Sequence, residues 1–174
     1  DAADIITLGT GNDTVNSGTG NDTINVATAN FTSADTVDGG AGTDSVALSD
    51  NATVVDADFT NLSNIETISY GNNTMTLTLA GESDDAGIAT VTDGTGAASI
   101  TLAAGRTNAL TIALSTGNDT VNASASSAAL TVTAAEASID GNDTITGGAG
   151  SSDTLTITGG GAGLTAAEMA NVSA

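Results

Sequence analysis

The side chains in this sequence that could do chemistry in any number are carboxylates. Twenty-one acidic residues, 17 of them Asp, stand against a single base, Arg106. Cysteine, histidine, proline and lysine are absent, which excludes a thiol nucleophile, a Ser–His pair, a His-ligated transition metal and a disulfide framework. Carboxylates alone can catalyse as an acid and base pair, and Asp56 with Asp58, or Glu82 with Asp84 and Asp85, are the nearest groupings. Nothing in their setting distinguishes them from solvated loop acids, so the chain is read as non-enzymatic. The formal charge of −20 also repels phosphate backbones and anionic lipid, where binding uses Lys and Arg to displace counterions. Neither a nucleic acid partner nor membrane insertion is expected, and no apolar run approaches the roughly 20 residues that span a bilayer.

The acids recur in one local context, Gly-Asn-Asp-Thr-aliphatic, at Gly11–Val15, Gly20–Ile24, Gly117–Val121 and Gly141–Ile145. Looser copies lie at Ala34–Val37, Thr43–Val46 and Ser152–Leu155. Asp4, Asp13 and Asp22 are nine residues apart, as are Asp35 and Asp44. A nine-residue step carrying Gly, then Asp, then an inward aliphatic is the period of a parallel β-roll in which two nonapeptides make one turn. Gly permits the sharp corner, and a short strand such as Thr14-Val15-Asn16 points Val15 inward.

These corners must be held by strands. Although the composition is acidic and poor in aromatics, 39% of residues are hydrophobic, and aliphatics alternate with Thr at period two. Strands are expected at Ile65–Tyr70, Thr74–Leu79, Ile88–Thr92, Ala98–Ala103, Ala109–Leu114, Leu130–Thr133 and Thr154–Thr158. The core must be thin and aliphatic, with Met75 and Met169 as filler. Two capping boxes, Thr133–Glu136 and Thr165–Glu168, predict brief helices. Arg106 could pair with an acid on a neighbouring turn, where an exposed pair would contribute little.

Gly39–Ala47 reads GGAGTDSVA, which resembles in full the nonapeptide of the RTX (repeats-in-toxin) calcium-binding β-roll. Leu8–Asn16 and Ser17–Asn25 each miss only the first Gly. The resemblance implies an all-β, right-handed parallel β-solenoid with short helical insertions. It also implies Ca2+ lodged between turns, held by loop carbonyls, here of Gly11, Gly20 and Gly42, and by carboxylates of successive loops. Asp4, Asp13, Asp22, Asp35 and Asp44 are then the ligands near the start, with Asp119, Asp143 and Asp153 in a second, degenerate patch. The physical logic agrees, since stacked carboxylates repel unless a hard, oxygen-seeking cation lies between them. Four extra residues in Val26–Ser33 let Asp22 stack on Asp44, and Asp13 on Asp35, only if the insertion loops out, which predicts a bulge around Phe31. The alternative is that these Asp residues form Asx turns at solenoid corners.

A longer repeat overlies the short one. The stretch from Gly117 realigns on Gly11–Asn64 at an offset of roughly 106–110 residues, with GNDTVN repeated and GGAG at Gly39 matched at Gly147. Three segments follow: RTX-like turns over 1–50, a ligand-poor solenoid over 51–114 with a helix-like insertion at 56–63, and a second copy over 115–174 that starts a further module. This organisation also resembles the Thr-, Ala- and Gly-rich repeat regions of bacterial S-layer proteins and giant surface adhesins. That likeness implies type I secretion, calcium-triggered folding outside the cell and display at the bacterial cell surface. The implied partners are copies of the chain itself, as a homopolymer or tandem array, and other cell-surface components. The expected function is a self-associating structural module. A ligand-binding adhesin module, including ice binding through the triads Thr10–Asn12, Thr19–Asn21 and Thr116–Asn118, or the non-catalytic roll of a secreted enzyme, are the alternatives.

Overall fold

Thr, Val and Ile fill short runs cut by Gly-rich corners, and the computed structural model, which describes residues 2–149, 153–160 and 172–173, turns each run into a strand. The first turn of the chain carries β1 (Ile5–Thr7) and β2 (Thr14–Asn16). The second carries β3 (Thr23–Val26), a 3-10 turn at Thr28–Asn30 and β4 (Thr36–Asp38). The third has β5 (Ser45–Leu48), β6 (Ala52–Val54), a 3-10 turn at Asp56–Phe59 and β7 (Leu62–Ser63). Next come β8 (Thr67–Tyr70), β9 (Met75–Leu79) and the short helix α1 (Gly81–Ala86), then β10 (Thr90–Thr92) with β11 (Ala98–Leu102) and β12 (Leu110–Ala113) with β13 (Thr120–Asn122). The last turns hold β14 (Leu130–Ala135), a 3-10 turn at Glu136–Ser138, β15 (Thr144–Thr146), β16 (Thr154–Thr158) and β17 (Val172–Ser173).

Strands stack on their counterparts in the next turn, all in parallel. One eight-stranded sheet, β1-β3-β5-β8-β10-β12-β14-β16, runs the length of the stack. A six-stranded sheet, β6-β9-β11-β13-β15-β17, and a three-stranded sheet, β2-β4-β7, supply the other walls. The architecture is a parallel β-solenoid. At about 4.8 Å per strand the long sheet rises about 34 Å.

Register makes the core a set of single-file ladders. Along the long sheet Ile6, Ile24, Val46, Ile68, Val91, Ile112, Val132 and Leu155 stand one above another. Val54, Leu77, Ile100, Val121 and Ile145 do the same on the six-stranded sheet. Residues on either side point outward, giving a row of Thr23, Ser45, Thr67, Thr90, Thr111, Thr131 and Thr154. Alternation at period two thus buries aliphatics and solvates hydroxyls. Met75 is fully buried among them; Met169 lies outside the described residues.

The two-nonapeptide step holds only for the first turn. Asp4 and Asp22 are bonded across 18 residues, whereas Asp13 meets Asp35, and Asp22 meets Asp44, across 22. The four extra residues do leave the strand register intact, but they do not bulge outward as expected. They wind into the Thr28–Asn30 turn, and Phe31 folds into the core edge-on to Phe59, ring centroids 5.5 Å apart. An aromatic beside a thin aliphatic core gains more by burial than by exposure.

Local elements differ from expectation in three places. The Thr133 capping box does not form, because β14 runs through it, the following 3-10 turn has no side-chain cap, and the Thr133 hydroxyl bonds the Ile112 carbonyl instead. The insertion at 56–63 is a 3-10 turn followed by β7, and α1 was not signalled at all. Thr165–Glu168 lies outside the described residues. Among the described residues no helix is long and apolar enough to cross a membrane.

Candidate metal centre

The residue just before each of β1, β3, β5 and β8 is acidic: Asp4, Asp22, Asp44 and Glu66. At this corner the strand ladder has stopped and a backbone N–H would go unpaired. The carboxylate one turn on takes it. The N–H of Asp4 donates to Asp22 Oδ1 (2.8 Å), that of Asp22 to Asp44 Oδ1 (2.7 Å), and that of Asp44 to Glu66 Oε2 (2.7 Å). Asp22 and Asp44 are almost fully buried, and their second oxygens, Oδ2, have no hydrogen-bond partner.

The loops leading into this corner lie flat on each other. The Ala41 N–H donates to the Gly18 carbonyl, the Gly20 N–H to the Ala41 carbonyl, and the Thr43 N–H to Asn21 Oδ1. Gly40 has a positive φ of 82°, and a Cβ there would run into the Gly18 carbonyl. At Gly42 a Cβ would strike the Gly20 carbonyl. The glycines of the repeat are therefore required by close approach of one loop to the next.

The other predicted acids divide by what they already hold. The Asp13 N–H donates to Asp35 Oδ1 (2.9 Å), but Asp35 Oδ2 is taken by the N–H and hydroxyl of Thr32, so Asp35 closes its own loop. Asp13 Oδ2 is buried and unpartnered. In the second patch the Asp119 N–H donates to Asp143 Oδ1 (2.8 Å), while the Asp140 N–H takes Asp143 Oδ2. Asp119 gives Oδ1 to the Ala98 N–H and leaves Oδ2 buried without a partner. Burial pushes the Asp119 carboxyl up, opposed by the Ala98 N–H and reinforced by the Asp143 charge. Asp153 belongs to a different corner, before β16, and accepts from the N–H groups of Leu130 and Gly148. Asp4 is exposed, and Gly11, with φ 118°, turns the corner between β1 and β2 in open space.

Asp13, Asp22, Asp44 and Asp119 thus each present a buried oxygen with nothing to bond, which suits a hard oxygen-seeking cation. Among the described residues no three acidic side chains converge, so coordination would pair carboxylates with loop carbonyls such as those of Gly18 and Gly20. Asp35 and Asp143 serve instead as the turn-closing acids of the alternative reading.

Sequence reasoning missed several acids with the same habit. Glu66 extends the first ladder, and Asp50 accepts from the N–H and hydroxyl of Thr28, which hold its carboxyl below the usual range. Asp56 reaches the next turn and caps α1, accepting from the N–H groups of Ala80 (2.6 Å), Glu82 (2.9 Å) and Ser83 (3.0 Å). Burial pushes Asp56 up, but those N–H groups outweigh it and hold the carboxyl low. Arg106 is not exposed as expected: it is fully buried, 3.0 Å from Asp84, and bonds Ser83 Oγ and the Ile88 carbonyl. Of the acids grouped in the sequence, Asp58 accepts from the Val55 N–H and Asp84 holds Arg106 and the Thr107 N–H.

The long repeat does not map like on like. The two GNDTVN hexapeptides put β2 in the three-stranded sheet and β13 in the six-stranded one. The Thr-Gly-Asn triads likewise fall at separate corners, after β1, β2 and β12, and form no single row.

Among known proteins, the family model of the RTX calcium-binding nonapeptide repeat (4 copies) matches residues 1–27, 32–50 and 140–152. No curated protein and no solved structure matches the chain. The matched segments contain Asp4, Asp13, Asp22, Asp35, Asp44 and Asp143, that is, both N-terminal acid corners and part of the second patch. Over those segments the chain carries RTX calcium-binding repeats, built into a calcium-binding β-roll module.

Proposed function

We propose that the chain is a non-enzymatic, secreted structural module, a calcium-stabilised solenoid that packs against copies of itself in a bacterial surface layer, extracellular filament or adhesin stalk. The observation that carries this reading is the combination of one unbroken eight-stranded sheet with corners whose buried carboxylate oxygens lack partners. The part of the molecule built to act is the stack itself, and calcium completes it. Secretion is supported by the RTX repeats, which are typical of exported proteins, and by the absence of cysteine. A charge of −20 keeps copies apart until divalent cations neutralise it, which makes association a calcium-dependent step.

The test is a calcium titration followed by far-ultraviolet circular dichroism and light scattering, with magnesium as control. β-Structure and ordered particles should rise together with calcium and not with magnesium. Folding without particles would refute self-association, and full folding in chelator would refute the calcium role.

A further inference from the structure

Halfway along the rod a second kind of corner lies outside the segments that match the repeat family. After β8, β10 and β12 the chain leaves the long sheet through three stacked loops, 71–74, 93–97 and 114–119, before entering β9, β11 and β13. Tyr70, the last residue of β8, and Asp93 and Asp119, from the second and third loops, are 3%, 7% and 0% exposed. Each has a buried polar atom with no hydrogen-bond partner: the Tyr70 hydroxyl, Asp93 Oδ1 and Asp119 Oδ2. The three groups feel one another, for both carboxylates act on the phenol and each acts on the other.

We propose that Tyr70 and Asp93 join Asp119, the acid of the Gly117–Val121 repeat context, in a cation site that takes one Ca2+ between the loops. Two carboxylates balance the charge of a divalent ion, and the three unpartnered oxygens would supply three of the six to eight that calcium requires. Main-chain carbonyls are at hand for the rest, because the loops are pressed together. A Cβ on Gly94 would strike the Gly71 carbonyl and come within 2.8 Å of that of Tyr70, and one on Gly117 would come within 2.6 Å of that of Gly96. The remaining oxygens of the two acids are spent on holding the loops, Asp93 Oδ2 on the Ser115 N–H and Asp119 Oδ1 on the Ala98 N–H. That leaves Oδ1 and Oδ2 respectively for the ion.

Left without a cation, the corner is costly. Asp93 Oδ1 and Asp119 Oδ2 are both buried without a hydrogen-bond partner. Two buried carboxylates facing each other must share a proton or hold a cation. The inference depends neither on self-association nor on the Asp22–Asp44 corner.

Tyr70 is the chain's one tyrosine, and there is no tryptophan, so terbium(III) as a calcium substitute reads this corner selectively. Exciting the tyrosine should give sensitised terbium emission that calcium displaces. Asp22→Asn with Asp44→Asn should preserve it, whereas Asp93→Asn should weaken terbium binding here by about tenfold or more. Terbium binding measured by calorimetry without sensitised emission from wild-type protein would overturn the site and assign the corner to a shared proton. Emission that survives Asp93→Asn combined with Asp119→Asn would overturn it equally. The wild-type arm decides even if a variant fails to fold.

Discussion

Replacing Asp44 by Asn separates the two jobs that its carboxylate does. Asn keeps an oxygen to accept the Asp22 N–H, which now meets Asp44 Oδ1 at 2.7 Å, but it removes the charge from the middle of a ladder between Asp22 and Glu66. Neighbouring carboxylates about 5 Å apart repel by roughly 1–3 kcal/mol for an effective dielectric between 80 and 20. Two such repulsions vanish, while exchanging a charged for a neutral acceptor costs about 1 kcal/mol. In chelator the variant should therefore be more stable than wild type by about 1–5 kcal/mol. In calcium the order should reverse, because the Oδ2 that would face the ion becomes an amide nitrogen or a neutral oxygen, and the midpoint for calcium should rise tenfold or more, about 1.4 kcal/mol. Urea denaturation by circular dichroism, with sucrose added so that both proteins begin folded, measures each limb. If Asp44→Asn loses the same stability with and without calcium, the carboxylate is only a backbone cap and the ion does not sit there.

Other perturbations test the scaffold. Asp56→Ala removes the acceptor for three N–H groups at the start of α1 and should cost about 2–4 kcal/mol in thermal or urea unfolding. Its folded pKa lies below the unfolded 3.8, so its stabilising effect is complete above that value and fades as pH falls through the folded pKa. The gap between wild type and Asp56→Asn should accordingly hold at neutral pH and narrow below about 3.8. Arg106→Met strands the buried Asp84 carboxylate and should cost about 3–5 kcal/mol, much of it recovered by adding Asp84→Asn in a double-mutant cycle. Gly40→Ala meets both a positive φ and the Gly18 carbonyl, and should lower the melting temperature and raise the calcium midpoint together; an unchanged midpoint would uncouple loop stacking from the ion.

Much of the architecture is legible in the residues because solenoid order is local. β8, β9, β10, β11 and β12 fall inside the runs read from Thr–aliphatic alternation, and the stacking of Asp22 on Asp44 follows from Gly and Asp at a fixed step. What escaped depends on contacts between turns. Asp35 looks like Asp44 in sequence, yet Thr32, three residues earlier, occupies the oxygen that Asp44 leaves unbonded. Identical GNDTVN hexapeptides land on different walls, because the corner lengths around them, and not the hexapeptides, decide which wall comes next. Arg106 has no local signal for burial: its partners Ser83, Asp84 and Ile88 lie about one turn back. Asp93 precedes a glycine in a loop with no nonapeptide, and its importance emerges only when Tyr70 and Asp119 stand above and below it.

The ladder before β1, β3, β5 and β8 has a direction. Asp22 serves Asp4, Asp44 serves Asp22 and Glu66 serves Asp44, each side chain reaching toward the turn laid down earlier in the chain. At this corner no turn is finished by its own residues. Each interface between turns at this corner therefore holds one such bond, so a turn lost from either end leaves its neighbour with an unpaired N–H or an unused carboxylate. The corner couples neighbouring turns one to the next, and fraying at an end is opposed by the same contact that joins the middle.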